Sequence, residues 1–206
     1  MSQSDYYRGL EIAEMALRAA LTSPAAEQAR EVHEAITPWL DNTLLAASRA
    51  CRRGCSHCCH LPVGVTFGEA MRLLEALQLR PDLQARVLAD ADTTAPMAWP
   101  QLALRPCPLL HDAACEVHPH RPMPCRALAS TDAEACERGA RGAGNVPVDD
   151  ESFWRGIGAA AALAKAAEPF GTRELRSALA AMLRAAPGAA AAAFAAARQA
   201  GPEDQD

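Results

Sequence analysis

Four cysteines fall within nine positions of this chain, Cys51-Arg-Arg-Gly-Cys55-Ser-His-Cys58-Cys59, with His57 and His60 beside them. A second group, Cys107, Cys115, Cys125 and Cys136, is spread further along the chain. Thiolates packed so tightly repel one another, and ionising them is costly unless a cation neutralises the group, as zinc or iron does. In a chain expected to be cytoplasmic, thiols meet a reducing pool, so metal ligands outweigh disulfides as the explanation. Eight thiols serve either two four-cysteine sites or one cluster with spares. Zinc and a four-iron cluster each take four ligands, so the count does not separate them. Adjacent side chains on an extended backbone point apart, which predicts that Cys58 and Cys59 serve different metals or that one is a buried or redox-active spare.

Arg52, Arg53, Arg121 and Arg126 are candidates to offset the charge of a thiolate cluster, with capping or ordinary ion pairing as the alternative. His57, His60, His111, His118 and His120 are left out of the ligand set, because surface or core histidines outnumber ligands.

Helices are expected to position these groups. Tyr7, Leu10, Met15, Leu17 and Leu21 mark an amphipathic helix over 4–22. Ser23 before Pro24 reads as a cap opening a second helix through Val32, Ile36, Leu40 and Leu45, kinked or split at Pro38, that runs into Cys51 and stops near Gly54. Thr66 and Glu69 form a capping box that starts a helix through Leu77, and Pro81 starts a further short one. From Thr93 to Pro124 seven prolines remove donors and fix φ, so this stretch is an irregular loop needing something other than a backbone ladder. A metal joining both cysteine groups would clip that loop to the helical part. Thr131 to Glu134 reads as a second capping box before Cys136, and Gly139 to Gly144 as a break. Beyond it lie helices, the last nearly pure alanine and expected to be loosely docked; Glu203 to Asp206 is a solvated tail.

The chain has 206 residues, 50% hydrophobic and 22% charged, which fits one globular domain with an appended segment. A net charge of −5 disfavours a phosphate-backbone binder, so no nucleic-acid partner is expected. No secretion signal or membrane span is expected, since Asp5 precedes any apolar stretch and the most apolar windows are short and edged by Lys165 and Arg198.

Cys51-x3-Cys55-x2-Cys58-Cys59, then Cys107-Pro-Leu-Leu, then Cys115-Glu-Val-His118-Pro-His120-Arg121-Pro122-Met-Pro-Cys125-Arg126 resembles the YkgJ-type cysteine-cluster family over Cys51 to Cys136. The resemblance implies a zinc- or iron-chelating domain, with Cys51, Cys55, Cys58, Cys59, Cys107, Cys115 and Cys125 as ligands and Cys136 as an eighth. His118 departs from the family, which has a tyrosine before the Arg-Pro pair. A related cysteine pattern accompanies the flagellin lysine N-methylase and points toward an iron–sulfur cofactor. Cys51-x3-Cys55-x2-Cys58 also has the spacing that holds a four-iron cluster in radical S-adenosylmethionine enzymes, but that fold sets the motif after a strand, and helices are expected on both sides here.

The expected fold is mainly α: a helical domain with an irregular, proline-rich middle clipped by a cysteine metal site. Residues 1–50 are N-terminal helices, 51–138 a metal-chelating domain and 145–206 an alanine-rich helical extension. The expected function is chelation of zinc or iron, including a 4Fe-4S cluster, by a metal-binding protein rather than an enzyme. Alternatives are an iron–sulfur enzyme or accessory in methyl or redox transfer, and a thiol redox sensor.

Overall fold

The computed structural model describes residues 3–52, 54–103 and 105–201. Arg53 and the tail from Glu203 to Asp206 lie outside them. The fold is mainly α, as expected, and is built around two apolar cores.

The first core joins α1 (Gln3–Ala19), α2 (Ala25–Asp41) and α7 (Asp150–Ala166) through Ala13, Val32, Ile36, Leu40, Ala159 and Leu163. Alanine offers little area to bury, so these helices gain contact by close approach. A Cβ on Gly158 would lie 2.0 Å from the Tyr6 carbonyl oxygen, and one on Gly9 would lie 1.9 Å from that of Arg155. Only glycine permits this crossing. The second core joins α3 (Phe67–Leu77), α4 (Pro81–Thr94), α8 (Leu175–Arg184) and α9 (Ala190–Ala196), with Leu73, Leu77, Leu83, Val87, Leu179 and Phe194 at its centre. The stretch 145–206, read as an extension, thus supplies α7 to one core and α8 and α9 to the other. The last helix is not loosely docked: Phe194 is fully buried against Phe67 and Phe170.

Several local expectations are corrected. α2 begins after Pro24, which stands in the cap position with no side-chain cap, so Ser23 does not cap it. It also ends at Asp41, well before Cys51. Pro38 has no N–H to continue the ladder, and the helix closes one turn later with Asn42 N–H donating to the Pro38 carbonyl at 3.1 Å. α4 is a full 14-residue helix rather than a short one. The box at Thr66 and Glu69 forms in both directions, whereas α6 (Ala133–Gly139) is capped by Asp132, whose carboxylate accepts from Ala135 N–H at 2.9 Å. Thr131 therefore forms no box.

The proline-rich middle does hold a small backbone ladder. β2 (Leu110–His111) and β3 (Ala114–Cys115) pair antiparallel across a two-residue turn in which Asp112 and Ala113 both take positive φ, 47° and 55°. The geometry matches the mirror-image turn that suits a twisted hairpin, achieved without the glycine that normally advertises it. A second ladder, β1 (Gly64–Val65) with β4 (Arg173–Glu174), sets the N-termini of α3 and α8 side by side.

Candidate metal centre

Each cysteine is held by an identifiable piece of the fold. Ala50 N–H donates to the Ser130 carbonyl at 2.8 Å and Ser130 N–H donates to Cys51 Sγ at 3.4 Å, which ties the exposed Cys51 to the segment before α6. Cys136 lies on α6, where the proximity of Ser130 favours its thiolate. Gly54 takes φ 88°, and Cys55 N–H closes back on the Arg52 carbonyl at 2.9 Å. Cys58 and Cys59 sit in a 3-10 turn, His57–His60. Cys107 N–H donates to the Cys59 carbonyl at 2.8 Å, so a backbone bond joins the two cysteine groups. Cys115 lies on β3, opposite Leu110, and Cys125 on α5 (Met123–Ala127).

The backbone at Cys58 and Cys59 is turned rather than extended, so the premise on which the two side chains were expected to point apart does not hold. The proximity of Cys59 lowers the Cys58 thiol to about 6, with Arg121 helping against burial, while Cys59 is pushed up.

Electrostatics sort the thiols into two neighbourhoods. Cys59 is raised by the neighbouring Cys58 first, then by burial and by the charges of Cys107 and Cys125. Burial raises Cys125 strongly, and Cys107, Cys58 and Cys115 add to it. Cys107, pushed up to about 11, and Cys115 are raised by burial first, and each also feels a neighbouring thiol. Cys136 feels burial and then Cys51, Cys55 and Cys58. Cys58, Cys59, Cys107, Cys115 and Cys125 thus influence one another's protonation, while Cys136 feels Cys51, Cys55 and Cys58. All eight are free thiols. Among the described residues, no three Cys, His, Asp or Glu side chains are close enough to enclose an ion as they stand. The donor chemistry fits zinc or iron nonetheless, since thiolates suit those metals and not calcium or magnesium.

The arginines divide. Arg121 and Arg126 brace the backbone of the loop: Arg121 donates to the His118 and Cys125 carbonyls at 3.2 and 3.3 Å, and Arg126 to those of Arg121, at 2.9 Å, and Pro119. Arg121 also favours the thiolates of Cys58, Cys115 and Cys125. Among the histidines left out of the ligand set, His60 Nδ1 faces the Ser56 and His57 carbonyls, and His111 pairs with Asp112.

Behind the cysteines lie groups that sequence reasoning missed. Glu69, fully buried, accepts from Thr66 N–H at 3.0 Å, from His33 at 3.2 Å and from Met123 N–H, at the start of the Cys125 helix, at 2.7 Å. Arg176, also buried, donates from Nη2 to the carbonyls of Arg105 and Pro106, just before Cys107, at 3.3 and 3.1 Å. The only sequence signal for Glu69 was its place in the capping box, and His33 gave none.

All eight cysteines and the Arg121-Pro122 pair lie inside a stretch that can be compared with known families. Residues 50–142 match the CxxCxxCC family. Its description is "Putative zinc- or iron-chelating domain". The match agrees with the resemblance read from the cysteine pattern and covers the metal-chelating segment, not the helices on either side. The chain inserts one residue relative to the spacing in the family's name, three between Cys51 and Cys55. No curated protein and no solved structure matches the chain. Among the described residues, no helix is long and apolar enough to cross a membrane.

Proposed function

We propose that the chain binds zinc or iron through cysteine thiolates, with Cys58, Cys59, Cys107, Cys115 and Cys125 as the inner donors and Cys51, Cys55 and Cys136 as the outer ones. What supports this reading is the match of residues 50–142 to a zinc- or iron-chelating family, together with free thiols on the 3-10 turn, before and on the hairpin and on α5 that influence one another's protonation. With no metal they repel; with a divalent cation the same grouping becomes attractive and protons are released on binding. Side chains must turn inward to close a shell, since among the described residues no three donors stand close enough as they are. Bound zinc would supply structural free energy, and an iron–sulfur cluster would supply a redox centre. Arg121 stands where it can moderate the charge of either. Eight free thiols also suit a reducing, cytoplasmic compartment.

Elemental analysis, an absorption spectrum and a labile-sulfide assay on protein purified without oxygen test the proposal. Zinc without colour or sulfide identifies a structural or carrier site. Iron with matching sulfide identifies a cluster, and opens the question of a methyl- or electron-transfer partner. Protein that retains neither metal, and takes up neither zinc nor ferrous iron when offered them, overturns it.

A further inference from the structure

We infer that Arg72, His33 and Glu69 form a buried relay that sets the position of Cys125, a role resting on the metal-binding reading above but tested separately from it. His33 is 1% exposed, Glu69 2% and Arg72 7%, on α2 and α3. Arg72 Nη1 contacts His33 Nδ1, and a guanidinium only donates, so Nδ1 must be the unprotonated, accepting nitrogen. The ring proton then sits on Nε2, which donates to Glu69 Oε1 at 3.2 Å. His33 is therefore a neutral link between a cation and a carboxylate. Burial favours the same form of the ring.

The carboxylate is aimed by this link. Oε2 closes the capping box with Thr66 N–H and Oγ1, at 3.0 and 2.9 Å, which leaves Oε1 to receive both His33 and Met123 N–H. Met123 opens the five-residue α5, which is too short to be stable alone. Pro124, next along, has no N–H to offer, so Met123 N–H is the donor that needs a partner at this end, and a carboxylate there is also favoured by the helix dipole. At the other end Ser152 Oγ donates to the Ala127 carbonyl at 3.1 Å. Cys125 lies between these two anchors, with Arg121 donating to its carbonyl at 3.3 Å and Met123 buried in the first core as further supports, and only the Glu69 anchor runs through the relay. Loss of the carboxylate's charge or of its orientation releases the N-terminal backbone of α5 and loosens the position of the Cys125 thiol.

The test compares Glu69→Gln, His33→Ala and His33→Gln with the wild type and with Val87→Ala, a core truncation on α4 outside the relay. Glutamine at position 33 retains an amide donor for Glu69 and an acceptor for Arg72, and serves as the conservative rescue. Two measurements are made at a temperature where circular dichroism shows every variant folded: zinc affinity by competition with a chromophoric chelator, and alkylation of metal-free protein by iodoacetamide, read at each cysteine by mass spectrometry. Glu69→Gln and His33→Ala are expected to weaken zinc binding at least tenfold and to speed alkylation of Cys125 at least fivefold with Cys51 unchanged. His33→Gln and Val87→Ala are expected to stay within twofold of wild type in both. Equal behaviour of Glu69→Gln and wild type, or an effect of Val87→Ala as large as that of His33→Ala, overturns the relay. Wild type that binds no zinc overturns the zinc arm of the metal reading, and the alkylation rates still decide the relay. If Glu69→Gln does not fold, the His33 pair decides.

Discussion

Replacing Arg176 by methionine asks whether the helical frame holds the cysteine loops in place. Arg176 is 2% exposed; its Nε donates to Asp90 at 2.6 Å, Nη1 to Glu174 at 3.3 Å and Nη2 to the two carbonyls that precede Cys107. Methionine retains much of the stem and removes the charge and every donor. Breaking a buried pair from one side costs about 3–5 kcal/mol, because the partner is left uncompensated. Here the partners retain part of their compensation: Glu174 still receives Arg198 at 3.1 Å and Ser177 N–H at 2.8 Å, and Asp90 still faces Arg105 at 3.9 Å. The loss belongs at the lower end, about 3 kcal/mol. For a chain of this length each kcal/mol moves the melting midpoint by roughly 2–4 °C, so Tm falls by about 6–12 °C. Urea unfolding followed by circular dichroism measures the loss, with the midpoint shifted and the slope unchanged. A local readout accompanies it, since the chain just before Cys107 loses its anchor and proteolytic cleavage between Trp99 and Pro108 should accelerate while the helices remain folded. A loss below about 0.5 kcal/mol, within the range of ordinary surface substitutions, or a full loss with no change in cleavage there, refutes the coupling.

Gly158→Ala should destabilise by about 1–2 kcal/mol, since the added carbon meets the backbone of α1 and overpacking outweighs the roughly 1 kcal/mol gain in helix propensity; a raised Tm sinks the close crossing of α1 and α7. Stability should fall on acidification in two stages. Burial holds His33 below its ordinary 6.5, so the unfolded chain binds its proton first and the loss begins as pH drops through that value. Burial raises the Glu69 carboxyl, but hydrogen bonds from His33, Thr66 and Met123 outweigh it and hold it below its ordinary 4.5, so a second loss follows in that range. Urea midpoints across pH measure both stages, and a His33→Gln curve that retains the first stage contradicts its assignment. Replacing Cys55 and Cys58 together by serine should lower bound metal and open the segment from Thr93 to Pro124 to protease; unchanged metal and digestion contradict their place among the donors. Chelator treatment should leave far-UV helical dichroism nearly intact, because both cores form without any cysteine ligand at their centres. Cooperative helix loss on chelation would show instead that metal builds the fold.

Local rules that depend on neighbouring residues were legible in the sequence. The Thr66–Glu69 box, the helix after Pro81 and the mainly helical class follow from caps, proline positions and apolar spacing, and the cysteine pattern alone led to the family that the match supports. Features fixed by distant contacts were not. The sequence marks Pro38 as a break but not the helix end at Asp41, where Arg49, from beyond the helix, donates to the Leu40 carbonyl and to the buried Asp149. The hairpin at Asp112 and Ala113 escapes because alanine is a poor signal for positive φ. The 3-10 turn at Cys58 and Cys59 escapes because the sequence between Cys55 and Leu61 does not choose between turned and extended backbone. His33 could not be found at all. Its partner is 36 positions away and its neighbours in sequence are ordinary members of an amphipathic helix.

A division of labour follows from these contacts. Alanine-rich helices bury little area, and a loop with so many prolines has few backbone donors, so neither can place the thiols accurately by itself. Three buried carboxylates do so instead, each at the start of a helix where its charge is also favoured by the dipole. Glu69 closes the box that Thr66 opens at the start of α3 and holds the helix that bears Cys125. Glu174 caps α8 and, through Arg176, holds the approach to Cys107. Asp149 caps α7 and gathers Thr43 and Arg49, while its own N–H donates to the Ala129 carbonyl at 2.8 Å, next to the Ser130 that bonds Cys51. A charge buried at a helix terminus is costly to leave unpaired, and that cost enforces each of these contacts more sharply than apolar packing would. The frame therefore fixes the backbone beside Cys51, Cys107 and Cys125 through buried charges rather than through apolar packing alone.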